Sequence, residues 1–166
     1  FYGDLTALIL FTVASFTDFL DGMLARLLGE ESRLGELLDP IADKIIIATA
    51  LILLVMDGTI RHYEVIAAII ILIREILISG LREFLAEGKI KLPVSNLAKL
   101  KTVLQMVSIG LLLSGETGNK IVDFQNYNAQ TIGIILLWLS AALTLFTGYE
   151  YMRKGIDHAI SEDNKN

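Results

Sequence analysis

The stretch Asp18-Phe-Leu-Asp21-Gly22-Met-Leu-Ala25-Arg26, followed after eight residues by Gly35-Glu-Leu-Leu-Asp39-Pro-Ile-Ala-Asp43, sets four carboxylates inside apolar sequence. It straddles two apolar segments, Leu5–Leu28 and Leu37–Met56, joined by the polar turn Gly29–Gly35. Three more apolar segments follow, Tyr63–Leu85, Leu97–Leu113 and Thr131–Tyr149. Asp57–Arg61, Ala86–Asn96 and Ser114–Ala129 read as the linkers between them. In a chain of 166 residues that is 54% hydrophobic, five such blocks predict an all-α, polytopic membrane bundle with five transmembrane helices. Runs of this length also occur as core helices of soluble bundles, but few of these segments carry a polar face. Residues 1–155 are expected to form one membrane domain and residues 156–166 a polar C-terminal tail. The chain opens on Phe1 rather than Met, and an odd number of spans would put Phe1 outside. A further helix is therefore expected ahead of Phe1.

Basic residues orient the bundle. Arg26, Arg33, Lys44, Arg82, Lys89, Lys91, Lys99, Lys101, Arg153, Lys154 and Lys165 fall on one side, and only Arg61 and Lys120 on the other. The richer side should face the cytoplasm, which predicts a multi-pass protein of the cell (inner) membrane. Without cysteine, disulfides, thiol catalysis and cysteine-bound zinc are excluded, and His62 and His158 are the only imidazoles. The basic residues flank apolar segments and form no stripe, so a nucleic-acid partner is not expected.

Depth is the more informative reading. Asp18 lies 13 residues after Leu5, Asp43 13 before Met56, Arg74 13 after Arg61 and Lys101 14 before Gly115. Each interval is roughly 20 Å of helix. All four are measured from the outer side, so they converge on one layer in the cytoplasmic part of a hydrocarbon core about 30 Å thick. A charge at mid-span costs about 2.5–3.5 kcal/mol or more unless it pairs, binds an ion or lines a wet cavity. One cavity open to the cytoplasm explains them together. Separate interhelical salt bridges and snorkelling side chains are the other explanation.

Within the opening stretch, Asp18, Asp21, Gly22 and Ala25 share one helical face, and Gly35, Asp39 and Asp43 share another. The short turn makes the two helices antiparallel neighbours, so four carboxylates meet across one seam. Unpaired, they would repel. Oxygen ligands without His or Cys favour hard divalent cations such as Mg²⁺ or Mn²⁺, and two such ions would suit phosphoryl chemistry. Gly22, Ala25 and Gly35 leave room either for close helix packing or for a flat ligand such as a nucleotide base. Pro40 reads as a first-turn proline, and Asp39 before it could equally cap that helix.

The pattern D-x2-D-G-x2-A-R-x8-G-x3-D-x3-D resembles the signature of the CDP-alcohol phosphatidyltransferase family at every position and both spacings. The resemblance covers roughly residues 5–152. Ser15-Phe-Thr17, Asp39-Pro-Ile-Ala-Asp43-Lys44, Arg74-Glu75 through Arg82-Glu83, Leu92-Pro93-Val-Ser-Asn96 and Lys99-Leu-Lys101-Thr102 resemble its phosphatidylglycerophosphate synthase subgroup. It implies a six-helix membrane fold, usually a homodimer, whose site faces the cytoplasm. It also implies transfer of the phosphatidyl group from CDP-diacylglycerol to glycerol 3-phosphate, with loss of CMP. By the same resemblance, Asp18, Asp21 and Asp39 hold two divalent cations, with Asp43 the general base and a further ligand. Asp18, Gly22, Ala25, Arg26 and Gly35 would receive the CDP moiety. The family's additional helix ahead of the motif helix, with its N-terminal polar motif, has no counterpart in this sequence.

A dianionic acceptor needs a basic pocket. Arg74, Arg82, Lys101 and Lys44 are the candidates for its phosphate, although Arg74 could also pair with Glu75 or an aspartate. Lys89, Lys91 and Arg153 read as topology determinants, and Trp138, Phe146, Tyr149 and Tyr151 as membrane aromatics. The last span, free of charge, reads as a packing helix facing lipid or a partner chain. Serine, inositol phosphate or phosphatidylglycerol are alternative acceptors within the same family. A divalent-cation transporter is the alternative from another class, and it leaves Arg26, the glycines and the basic set unexplained.

Overall fold

A computed structural model describes residues 3, 6–15, 17, 33–87, 95–124 and 127–163. Among the described residues six helices carry the fold: α1 (Thr6–Ser15), α2 (Arg33–Met56), α3 (Glu64–Glu87), α4 (Asn96–Leu113), α5 (Gly115–Ile121) and α6 (Ala129–Asp163). A two-stranded antiparallel ribbon, β1 (Asp123–Phe124) with β2 (Tyr127–Asn128), precedes α6. The all-α membrane bundle expected from the sequence is the one observed. Asn96–Leu113 and Ala129–Arg153 are long and apolar enough to cross a bilayer by length and composition alone. At 24 residues each, α2 and α3 are about 36 Å long, enough to span, and they carry the intramembrane charges.

What faces outward explains the class. Ile66, Ile69, Ile73, Ile76, Leu77 and Phe84 of α3 are exposed. So are Ile135, Trp138, Leu139, Leu145 and Phe146 of α6 and Val103 and Val107 of α4. Apolar surface on this scale, spread over every long helix, suits lipid rather than water. Polar side chains point inward. Lys101, Gln105 and Ser108 of α4 are buried, as are Ser140, Thr144 and Thr147 of α6. The outer half of the interior is apolar, built from Leu51, Leu54, Ile60, Ala67, Ile71, Ile109, Leu112 and Leu137.

Small residues set the close approach of α6 to its neighbours. A Cβ on Gly133 would stand 2.8 Å from Leu112 Cγ and 3.4 Å from the Ser108 carbonyl oxygen. Ser108 Oγ donates to the Gly133 carbonyl at 2.8 Å, a hydrogen bond between α4 and α6 that only near-contact backbones permit. Ser95 starts α4 by accepting from the Ala98 N–H at 3.2 Å. Asn128 starts α6 by accepting from the Thr131 N–H at 2.9 Å.

Two local expectations are corrected. Helix α2 begins at Arg33, so Pro40 lies in its interior, not its first turn, and Asp39 is no cap. Pro40 withdraws the donor that would close on the Glu36 carbonyl, a defect that membrane bundles tolerate where neighbouring elements cover it. The stretch Ser114–Ala129, read as a linker, contains α5 and the β ribbon. Its glycines mask a helix held by tertiary contact: Asn119 Oδ1 accepts from the Gln130 N–H at 3.0 Å, tying α5 to the start of α6.

Gly133→Ala should lower the melting temperature in detergent, because buried Leu112 has no room to yield; overpacking of this kind costs about 1–3 kcal/mol. Gly110→Ala, where a Cβ meets nothing within 4 Å, should raise it, by about 0.5–1 kcal/mol of helix propensity. A scan in which both variants shift the same way would refute the close-packing assignment.

Candidate functional site

One helical face of α3 carries Arg74, Ile78, Arg82 and Ala86 toward α2, α4 and α6, with Glu75, Ser79 and Glu83 beside them. Asp43, Lys44 and Ile47 of α2 stand on one side, Ala98, Lys101, Thr102 and Met106 of α4 on another, and Tyr151 of α6 behind. Together they enclose a cavity of about 510 Å³. Ala86 and Glu83 are exposed at its mouth, and Arg74 and Lys101 lie deep, with side chains 11% and 3% exposed.

The deep cations share a counter-charge. Lys101 Nζ donates to Glu75 Oε1. Glu75 Oε2 lies 3.7 Å from Arg74 Nη1. A single carboxylate therefore neutralises cations from two helices where water is scarce. Arg74 Nη2 also donates to Thr147 Oγ1 at 3.0 Å. Nearer the mouth, Arg82 lies over the Tyr151 ring, 4.9 Å from its centroid, and donates to the Tyr151 hydroxyl at 3.1 Å. The Arg74 guanidinium stands 6.0 Å from the same centroid.

Of the residues expected to share one layer, Asp43, Arg74 and Lys101 do line one cavity, joined by Arg82 and Lys44. Pairing of Arg74 with Glu75 and service in a common cavity prove compatible. Asp18, Asp21, Gly22, Ala25 and Arg26 lie outside the described residues, as do Lys89 and Lys91. Gly35 and Asp39 fall on the helical backbone of α2 at the turns preceding Asp43, and their side chains lie outside the description. Among the described residues no three His, Cys, Asp or Glu gather into a metal-binding group. Among the described residues, Asp43 puts a carboxylate, an oxygen donor, on the cavity wall. Such a donor fits a hard divalent cation.

The sequence reading missed Tyr151 and Thr147. Tyr151, taken for an interfacial aromatic, is only 5% exposed. Its companions Trp138, Phe146 and Tyr149 are 40%, 55% and 68% exposed and do face outward. Helix α6 is thus lipid-facing on one side only, and its other side packs on α4 and α3. The available signal was the spacing of Thr144, Thr147, Gly148 and Tyr151, a polar and small stripe at helical period in an otherwise apolar span.

Residues 2–146 match the family described as CDP-alcohol phosphatidyltransferase. The chain belongs to the CDP-alcohol phosphatidyltransferase family. It is 43% identical over 145 residues to a protein of Rickettsia bellii (strain RML369-C), covering 87% of this chain and 76% of that one. A protein of Haemophilus influenzae (strain ATCC 51907) is 40% identical over 147 residues, covering 87% and 74% of the two chains. One of Cereibacter sphaeroides (strain ATCC 17023) is 36% identical over 191 aligned positions, covering 97% and 86%. All three relatives are named CDP-diacylglycerol–glycerol-3-phosphate 3-phosphatidyltransferase.

Glu75→Leu should destabilise the bundle strongly, since removing one partner of a buried ion pair costs about 3–5 kcal/mol. With the Glu75 side chain 19% exposed, the lower end is expected. Glu75→Leu combined with Lys101→Met should recover most of the loss in a detergent melt. A single variant that melts like the parent would show that the pair carries no such role.

Proposed function

We propose that this chain is an integral membrane enzyme that transfers the phosphatidyl group of CDP-diacylglycerol to glycerol 3-phosphate, giving phosphatidylglycerophosphate and CMP. The observation that carries this reading is the cavity itself. It sets the last carboxylate of the family signature, Asp43, on one wall and Arg74, Lys101 and Arg82 on the others. The names of the relatives support the same reaction.

The chemistry assigns roles to the two walls. Glycerol 3-phosphate brings a dianion and free hydroxyls. Arginine and lysine donors bind its phosphate with charge-assisted hydrogen bonds, the bidentate guanidiniums fixing orientation as well as affinity. Asp43, on α2, accepts the proton of the acceptor hydroxyl. The hydroxyl oxygen then bonds to the phosphorus that bears diacylglycerol, and the bond from that phosphorus to the CMP oxygen breaks. Asp18, Gly22, Ala25, Arg26 and Gly35 receive the CDP moiety. Two divalent cations, Mg²⁺ or Mn²⁺, held by Asp18, Asp21, Asp39 and Asp43, would neutralise the pyrophosphate when bound. Everything else asked of the protein is positioning, which is where most of the acceleration in phosphoryl transfer resides.

The concentration of Lys and Arg at the mouth end supports a site open to the cytoplasm, in the inner membrane. The exposed apolar faces support a bilayer as solvent, and a homodimer is the assembly that family resemblance implies. A phosphorylated acceptor suits four cations better than serine would.

Purified protein in lipid nanodiscs should release CMP from CDP-diacylglycerol on addition of glycerol 3-phosphate, and much less with serine or inositol phosphate. Asp43→Asn should lower kcat by about 10²–10⁴-fold. Arg74→Ala should raise the KM for glycerol 3-phosphate by about 10–100-fold, the worth of a charge-assisted bond, with the KM for CDP-diacylglycerol unchanged. Full activity in Asp43→Asn, or unchanged acceptor kinetics in Arg74→Ala, would overturn the respective role.

A further inference from the structure

We propose that one turn of α6, Thr147, Gly148 and Tyr151, is a rack that sets the spacing of the two arginines meeting the acceptor phosphate. Specificity for a phosphorylated acceptor is then written partly on a helix that contributes no charge there. The inference rests on the acceptor reading above and adds positioning residues to it.

Three contacts make the rack. The Thr147 hydroxyl donates to the Leu143 carbonyl at 2.8 Å, and this spends its proton. Its lone pairs are left for the Arg74 guanidinium, whose Nη2 donates to it at 3.0 Å. Gly148 lies against the stem of the same arginine: a Cβ there would stand 3.2 Å from Arg74 Cγ and 3.5 Å from Nε. Arg74 therefore runs flat along the α6 backbone. Tyr151 supplies the third contact, its ring facing both guanidiniums and its hydroxyl accepting from Arg82.

The geometry matters because of where the arginines start. Eight residues apart on α3, their backbones are separated by about 12 Å. Both guanidiniums nevertheless come within 6.0 Å of one ring centroid. Left alone, two like charges on long flexible stems would splay apart. The tyrosine ring attracts both, by its quadrupole, and holds each of them close to the same point on α6. Thr147, Gly148 and Tyr151 can act together because positions i, i+1 and i+4 project from neighbouring sectors of one helix. None of the three touches the reacting atoms, so they are positioning residues.

The test uses the full chain in nanodiscs with CDP-diacylglycerol and glycerol 3-phosphate, alongside Arg74→Ala. Tyr151→Leu and Thr147→Val should each raise the KM for glycerol 3-phosphate by about 5–30-fold, the range of a lost charge-assisted hydrogen bond. The KM for CDP-diacylglycerol and kcat should stay within about twofold, since uniform acceptor binding alone is lost. Inorganic phosphate should weaken as a competitive inhibitor by the same factor as the KM. Thr147→Ser, which keeps the oxygen, should restore parental values, and this variant with Tyr151→Phe keeps the test alive should the larger changes unfold the protein. Tyr151→Phe, keeping the ring but losing the hydroxyl, should fall between parent and Tyr151→Leu. Unchanged acceptor KM in Tyr151→Leu and Thr147→Val, with Arg74→Ala impaired, overturns the rack and leaves the acceptor pocket standing. So does a loss confined to kcat. If Arg74→Ala is itself unimpaired, the pocket assignment fails first and the rack falls with it.

Discussion

A carboxylate from α3 placed between two cations in the interior of a lipid-facing bundle is the interaction on which the rest of this structure leans. Glu75 bonds to Lys101 and lies beside Arg74. It offsets part of the cost of burying both cations, since the desolvation of an isolated ion in a low-dielectric interior runs to several kcal/mol. The same pairing dictates geometry. It fixes the rotation of α3 relative to α4, and thereby turns Arg82 and Glu83 along the same face toward the cavity mouth. The charges that would forbid a membrane helix become the reason that two of them sit in one register.

The lipid environment also explains how α6 comes to serve a charged site although residues 131–149 carry no charge. With no hydrophobic force between helices in a bilayer, close approach depends on small side chains and on hydroxyls that can be satisfied locally. Ser140 donates to Leu137 and Thr147 to Leu143 within their own helix, whereas Ser108 reaches across to Gly133. These bonds satisfy Ser108, Ser140 and Thr147, while the Gln105 amide and the Thr144 hydroxyl are buried without a partner among the described residues. Once α6 lies this close, the turn from Thr147 to Tyr151 is in reach of α3. Packing of the outer half of the bundle thus determines the electrostatics of the inner half.

Much of this was legible beforehand, for identifiable reasons. The bounds of α3 and α4 fall within two residues of the apolar segments because punctuation by charge, Gly and Pro marks where lipid ends. The meeting of Asp43, Arg74 and Lys101 followed from counting residues inward, since helical rise is a constant that packing cannot alter. Azimuth is different. Which face of α6 would turn toward α3 depends on the shapes of neighbours far away in sequence, so Tyr151 read as one more interfacial tyrosine. Glu75 was visible as a partner of Arg74, but its bridge to Lys101, 26 residues on, was not. Pro40 misled for a local reason: a cue that usually opens helices sits here inside one. The expected metal and CDP ligands from Asp18 to Arg26 lie outside the described residues, so the aspartate seam stays a reading from the motif.

The distribution of charge around the cavity gives the proposed reaction a direction. Among the described residues, four cationic side chains, Lys44, Arg74, Arg82 and Lys101, and three anionic ones, Asp43, Glu75 and Glu83, line it. The near balance makes such a cavity tolerable inside a bundle, but the charges are not mixed evenly. Three of the four cations, Arg74, Arg82 and Lys101, project from α3 and α4, where Glu75 and Glu83 partly offset them, while α2 carries Asp43 beside Lys44. An acceptor with a dianion at one end and hydroxyls at the other has one favourable orientation in that field, its phosphate toward the α3 and α4 wall and its hydroxyl toward α2. In the proposed reaction the activated phosphorus approaches from the α2 side, where Asp43 stands. Binding the phosphate then delivers the nucleophile to the donor, and affinity for the part of the acceptor that does not react becomes alignment of the part that does.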